Sequence, residues 1–195
     1  TPVLDVNGWD LRKTIKLLLK GNAVVAEWLR SPLAYQVVEP FREELLALAG
    51  TVARRDAIAS HYLHLLYSMR DRVFGAAVGV AVKKIFYVLR PAMALRWMRV
   101  RPQAATAPMN FQELCDGAGL SPTIRAVIDG LLALKAKTHE MGQGQADPLL
   151  LDFVLSEQAK AESWIGRPGP PPRDHVALAE ETYLRLLRRY GPDSA

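Results

Sequence analysis

The sequence predicts a mainly α fold, a multi-helix bundle with one strand near its N-terminus. Apolar residues recur at helical spacing through most of the 195 residues. Proline and glycine pairs such as Ser31-Pro32 and Gly21-Asn22 separate these stretches at places where helices begin or end. Only residues 2–6 resemble a strand. Because a single strand is not stable alone, we expect it to protrude or to pair with a segment outside this sequence.

The first half of the chain is predicted to hold five helices. The first has one apolar stripe and one basic face, formed by Leu11, Ile15, Leu18 and Leu19, and by Lys13, Lys16 and Lys20. Gly21-Asn22 suits a left-handed cap at its end. The other four are predicted at 23–29, about 40–49, 57–73 and 76–100. Pro91 lies inside the last of these and is expected to kink it.

The second half is predicted to contain four helices joined by irregular segments. These helices are expected at 111–117, 122–139, 148–165 and 175–190, with a linker at 102–108, a loop at "GQGQADP" and a polyproline-like connector at "GRPGPPPRD". The pattern predicts three domains: residues 1–22, which hold the strand and the first helix, a helical domain at 23–101, and a C-terminal helical extension at 102–195.

Composition is that of a globular protein. Half of the residues are hydrophobic and 23% are charged, so a core of ordinary size can be buried. One cysteine, Cys115, allows no internal disulfide and fits a reducing compartment, with a buried thiol favoured over a reactive one. No apolar run reaches the roughly 18 residues of a membrane span, and no leader pattern is present. We therefore expect a cytoplasmic protein without a membrane partner.

Charge is distributed unevenly along the chain. Residues 1–102 contain 16 Lys/Arg and 8 Asp/Glu, whereas residues 103–195 contain 9 and 12. The basic half indicates an anionic partner. An ordinary solvated helical surface explains the charge equally well, because Lys and Arg are good helix formers.

Three blocks of the sequence carry a resemblance to a known family. They are "DVNGWDLRKTIKLLLKGNAVVAEWLRSP", "SHYLHLLYSM" and "VKKIFYVLRPAMALRWM". In this order they resemble the predicted nucleotidyltransferases of the DNA polymerase β superfamily, in the branch associated with RNA repair. The resemblance is good over residues 3–110 and weak beyond. Family members begin with a Gly-Ser turn and an Asp-x-Asp strand, and this sequence has neither, so we expect its strand to be what remains of an α/β nucleotidyltransferase core.

The resemblance implies a catalytic and metal-binding role for Asp5. Enzymes of this superfamily hold Mg²⁺ between three carboxylates, two of them on the Asp-x-Asp strand, and Asp5 corresponds to the third. The alternative is that Asp5 only caps the turn at Asn7-Gly8. In a complete enzyme the missing segment would precede Thr1. We expect the 195 residues alone to be inactive.

Candidate phosphate-binding residues lie on two predicted helices. Lys83 and Arg90 are seven residues apart, so they share one helix face with Tyr87 between them, and Lys84 is adjacent. Lys13, on the basic face of the first helix, is a further candidate. Together with the resemblance, these residues indicate a face for a nucleoside triphosphate or for the backbone of a nucleic acid such as RNA. The alternative is that Arg90 pairs with Glu27 or caps a neighbouring helix while Lys83 and Lys84 are solvated.

Other residues have ordinary structural explanations. His61 and His64 have a spacing that suits a metal, but no further ligand is in register. Most aromatic residues are expected in the core. Glu27, within "VVAEWL", needs a partner such as Arg12, Arg90 or Arg96.

Two functions remain open from the sequence. One is the helical portion of a nucleotidyltransferase that transfers a nucleoside monophosphate to a hydroxyl group, an RNA end being one such acceptor. The other is a non-catalytic basic module that binds RNA or a protein partner.

Overall fold

The computed structural model describes residues 7–74, 80–138, 143–144 and 147–191, with side chains placed for all of these except 80–83, 137–138 and 143–144. The fold is mainly α, as predicted. Within the described residues the helices are α1 Leu11–Leu19, α2 Ala23–Leu29, α3 Glu39–Val52, α4 Arg55–Phe74, α5 Val82–Val100, α6 Phe111–Gly117, α7 Pro122–Thr138, α8 Pro148–Trp164 and α9 Arg173–Tyr190. The predicted strand at residues 2–6 lies outside the described residues.

Polar side chains fix the starts of several helices. The Asp10 carboxylate accepts from the Lys13 backbone N–H at 2.7 Å, and the Asn22 side chain accepts from the Val25 N–H at 3.2 Å. Asn110 caps α6 in the same way. Gly21 follows α1 with a φ of 74°, which is the left-handed cap that the sequence predicts. These ends could be predicted because each depends on residues only a few positions apart.

The predicted helix at 76–100 is wrong at its start. Residues Val80–Ala81 form a strand, β1, and α5 begins at Val82. Strand β1 pairs antiparallel with β2, Gln143–Gly144, which lies inside the predicted loop "GQGQADP". The prediction failed because two-residue strands have no recognisable period, and their pairing joins distant parts of the chain. Pro91 lies inside α5, as predicted, and is buried.

The chain divides into two compact units. Unit 1 comprises Thr1–Arg54 and Gly169–Ala195, and unit 2 comprises Arg55–Pro168. In unit 1, the apolar faces of α1, α3 and α9 form a common core that includes Ile15, Leu48 and Leu186. The domain boundaries predicted after residues 22 and 101 stay a prediction.

The core of unit 2 is centred on α5. This helix packs against α4 and α8, and its interior residues, such as Leu89, Met93 and Met98, are almost completely buried. Leu66 of α4 and Leu150 of α8 are buried as well. No helix within the described ranges is long and apolar enough to cross a membrane.

Candidate functional site

A tryptophan pair holds the segment that follows Asp5 against α2. Asp5 itself lies outside the described residues. Four positions later, the half-buried Trp9 ring stacks on Trp28 of α2, with ring centroids 4.5 Å apart and planes inclined by 19°. Stacked aromatic pairs of this kind stabilise their partners by roughly 0.5–1.5 kcal/mol beyond the area that they bury. The stack therefore holds the start of the described chain against α2.

Helix α1 presents four cations to solvent. Its buried residues Ile15 and Leu18 turn one face toward the core of unit 1. The opposite side exposes the side chains of Arg12, Lys13, Lys16 and Lys20. These line an open depression of about 360 Å³ together with Asp10 and Leu17. The basic face that the sequence predicts for this helix is therefore exposed, and it includes the candidate Lys13.

Lys13 also contacts the tryptophan pair. Its Nζ lies 5.5 Å from the centroid of the Trp9 ring, a distance at which a cation is attracted to the π face. Trp28, on the other side of the stack, is 46% exposed and borders a groove of about 500 Å³ between α2, α3 and the 31–38 loop. The cations of α1 and this groove are thus connected through two stacked rings.

The α5 candidates occupy the outer side of the first part of that helix. Lys84 is exposed and Tyr87 is 51% exposed. Arg90 is half-buried and donates from Nη2 to the Pro108 carbonyl at 3.4 Å, so it also contributes to local structure. The side chain of Lys83 lies outside the described residues, and the shared face of Lys83 and Arg90 stays a prediction. Lys13 belongs to unit 1 and the α5 residues to unit 2.

The inner side of the same part of α5 packs on neighbouring helices of unit 2. Phe86 meets Phe111 of α6 edge to face at 5.4 Å, and Lys135 of α7 lies 5.0 Å from the Phe86 ring. This packing fixes the rotation of α5 about its axis. Lys84 and Tyr87 consequently point away from the core.

Arg96 has a different role from the one that the sequence suggests. It donates to Glu157 of α8 at 2.7 Å and to the carbonyls of Ala118 and Gly119. Arg99 donates to the same carboxylate at 2.8 Å. Arg96 was a candidate partner for Glu27, which is only half-buried on α2 rather than in the core. A buried acid that the sequence analysis did not single out, Glu157, takes this arginine instead.

The environment of Glu157 keeps it ionised. Burial alone raises the pKa of this carboxyl, but hydrogen bonds from Arg99, Arg96 and Lys160 outweigh burial and hold the pKa below its ordinary value. The side chain is 1% exposed. All of its partners lie in unit 2, where they join α5 to α8. The arrangement is a structural ion-pair network.

The described side chains include neither a metal-ligand cluster nor an exposed thiol. No group of three or more His, Cys, Asp or Glu residues there could hold a metal ion. His64 is exposed, with Nδ1 2.7 Å from the Ser60 carbonyl oxygen. The thiol of Cys115 is buried, as predicted, and burial raises its pKa to about 11. The magnesium site, and the role of Asp5 as one of its ligands, stay predictions.

Comparison with known proteins assigns the chain to a family. It belongs to the RNA repair pathway DNA polymerase beta family, whose model matches residues 2–184. The resemblance found in the sequence is thereby confirmed, and it extends well beyond residue 110.

One relative is the "Uncharacterized protein YcgL" of Bacillus subtilis (strain 168). It is 30% identical over 156 residues, which are 80% of this chain and 58% of the relative. The chain thus spans less than two thirds of the length of that relative. No solved structure matches the chain.

Proposed function

We propose that this chain is the helical portion of a nucleotidyltransferase, which transfers a nucleoside monophosphate from a triphosphate to a hydroxyl group such as an RNA end. The observation that carries the proposal is the family match over residues 2–184, because it spans Asp5, the tryptophan pair and the α5 face together. A cytoplasmic location is part of the proposal and rests on the single cysteine, which fits a reducing compartment.

Asp5 is proposed to contribute one carboxylate to a magnesium site. Mg²⁺ takes hard oxygen ligands and, in phosphoryl-group chemistry, neutralises charge that develops on the phosphate oxygens. The described side chains supply no group of three or more such ligands, and Asp5 is the residue that we propose for the metal. The assignment rests on the family match, which includes Asp5.

The phosphates of the triphosphate are proposed to contact the basic residues of α5. Lys84 and Tyr87 supply an exposed cation and an exposed phenol on adjacent turns, and Arg90 and Lys83 complete the set. Lys13, on α1 of unit 1, is proposed as a separate phosphate contact, apart from the α5 residues. A cation on a mobile stem suits the point charges of a triphosphate, whereas arginine gives forked contacts.

The catalytic part of the proposal is tested by Asp5→Asn in the full-length protein. The amide keeps the shape and turn-forming capacity of the side chain but removes its charge, so we expect nucleotidyl transfer to fall by roughly 100-fold or more with little change in thermal stability. Release of labelled pyrophosphate in the presence of Mg²⁺ measures the reaction.

Asp10→Asn is the matched control for this experiment. Asp10 caps α1 through its side-chain oxygen, and asparagine is an equally good N-cap, so activity and stability should both stay close to the parent values. Full activity of Asp5→Asn, or equal losses in the two variants, would return Asp5 to a turn-capping role.

Nucleotide contacts are tested by Lys84→Ala. Since Lys84 is exposed, its loss should leave the melting temperature unchanged and weaken triphosphate binding by about 1–3 kcal/mol, as expected for a lost charge-assisted contact. Arg72→Ala, which removes an exposed cation from α4 in the same unit, controls for net charge. Equal binding by both variants in titration calorimetry argues against the α5 site.

A second function is favoured by the exposed cations of α1. A non-catalytic module that binds RNA or a protein partner needs only such a surface and no metal site. Nucleotidyl transfer by the full-length protein that depends on Asp5 would exclude this alternative.

A further inference from the structure

The four cations of α1 form no ion pair with any described carboxylate, whereas eight other cations of the described residues do. Ion pairs engage Arg42, Arg70, Arg96, Arg99, Arg125, Lys160, Arg185 and Arg189. Among the described residues, no carboxylate forms an ion pair with Arg12, Lys13, Lys16 or Lys20. The nearest acid in sequence, Asp10, uses its carboxylate to cap the helix. Four positive charges on nine helical residues and a cap therefore stand near two acids, Asp10 and Glu180 of α9, without forming an ion pair with either.

These charges are arranged in a line. On an α-helix, Lys13, Lys16 and Lys20 fall within about 60° around the axis, and they extend over about 10 Å along it. A single compact anion would contact one or two of them. A phosphodiester chain, which presents negative charges in sequence, can contact all three at once.

An aromatic surface lies at one end of this line. Lys13 covers Trp9, Trp9 stacks on Trp28, and nearly half of the Trp28 side chain is accessible. The adjoining groove is open and mostly apolar at its rim, where Leu33 and Tyr35 are exposed. Accessible aromatic side chains beside a basic track are the elements by which proteins bind single-stranded nucleic acid, since unpaired bases stack on rings while phosphates contact cations.

We propose that α1 and the Trp9–Trp28 stack form a binding surface for single-stranded RNA, with Lys13, Lys16 and Lys20 on its phosphates and Trp28 under an unpaired base. The inference deepens the proposed function by naming the acceptor strand, and it rests on that function only for the choice of RNA. A duplex would fit less well, because its bases are already stacked and paired.

The test is binding of a fluorescein-labelled 12-nucleotide single-stranded RNA, measured by anisotropy at several NaCl concentrations in EDTA and without triphosphate. The key variant is Lys16→Gln/Lys20→Gln. Each lost phosphate contact on a single strand reduces the slope of log K against log salt by about 0.7, so the double variant should flatten it by about 1.4. Both lysines are exposed, and folding should be unaffected.

The control variant is Arg72→Gln/Arg167→Gln, which removes the same charge from two exposed positions of unit 2. It should leave the slope unchanged. Trp28→Leu keeps an apolar side chain but removes the stacking surface, and it should weaken binding of the RNA roughly 5- to 150-fold at constant slope.

Three results would overturn the inference. The first is a salt-dependence slope that is the same for the lysine variant and its control. The second is undiminished RNA binding by Trp28→Leu. The third is complete displacement of the labelled RNA by an equal concentration of inorganic triphosphate, duplex RNA or an acidic peptide. The binding assay contains neither metal nor triphosphate. Its result therefore does not depend on whether the Asp5 experiment detects nucleotidyl transfer. RNA binding that depends on α1 would stand even if the transfer reaction were disproved.

Discussion

Replacement of Glu157 by glutamine should destabilise unit 2 strongly. The carboxylate is 1% exposed and accepts from Arg96 at 2.7 Å, Arg99 at 2.8 Å and Lys160 at 3.2 Å. In Glu157→Gln one neutral carbonyl oxygen, which can accept two hydrogen bonds, replaces two charged carboxylate oxygens, while the new amide N–H₂ faces cationic donors. A hydrogen bond to a charged group contributes about 1.5–3 kcal/mol, and breaking a buried ion pair costs about 3–5 kcal/mol. We therefore expect a loss of about 3 kcal/mol.

The assay is thermal unfolding followed by circular dichroism, with Asp152→Asn as control. For a chain of this size, about 3 kcal/mol corresponds to a fall in Tm of roughly 6–12 °C. Asp152 is an exposed carboxylate on the same helix, so its variant should change stability by less than about 0.5 kcal/mol. A difference in Tm of less than 2 °C between Glu157→Gln and the control corresponds to a stability change of roughly 0.5–1 kcal/mol at most. That result would show that the network does not hold α5 to α8.

The pH dependence has a defined sign. Since the folded-state pKa of Glu157 lies below the ordinary value of 4.5, its stabilisation is fully present above that pH and is lost as the pH falls through the lower folded value. The difference in Tm between parent and Glu157→Gln should therefore shrink on acidification below about pH 4.5. A difference that grows there would contradict the assignment.

Three further outcomes follow from local contacts. In Gly117→Ala the new Cβ would clash with the Trp97 ring, so the free energy of unfolding measured in urea should fall by about 1–3 kcal/mol. The control Gly130→Ala, on α7 with open space around it, should be neutral or slightly stabilising. Because burial raises the pKa of Cys115 to about 11, its reaction with a disulfide reagent at pH 8 should be slow in the native protein and fast in denaturant; equal rates would mean an accessible thiol. Asn22→Ala removes the cap of α2 and should cost about 1 kcal/mol in the same urea assay, and Asn22→Asp, which keeps a capping oxygen, should restore most of it.

Local patterns determined the helices and much of their detail. The bounds of α1, α2 and α6 agree with the sequence prediction, since apolar spacing, caps and Gly21 act over a few neighbouring residues. The exposed lysines of α1 were also predictable from its two faces. The family could be identified from three sequence blocks, and the match over residues 2–184 confirms it.

Tertiary structure alone decided which distant residues meet. The stack of Trp9 on Trp28, the pairing of β1 with β2 and the burial of Glu157 among arginines of α5 each join segments with no shared period. The sequence indicated that Glu27, a carboxylate in an apolar stretch, needs a partner and named Arg96 as one candidate, but Arg96 pairs with Glu157 instead. Charge and polarity indicate that a group must be satisfied, whereas packing determines which group lies within hydrogen-bonding distance to satisfy it.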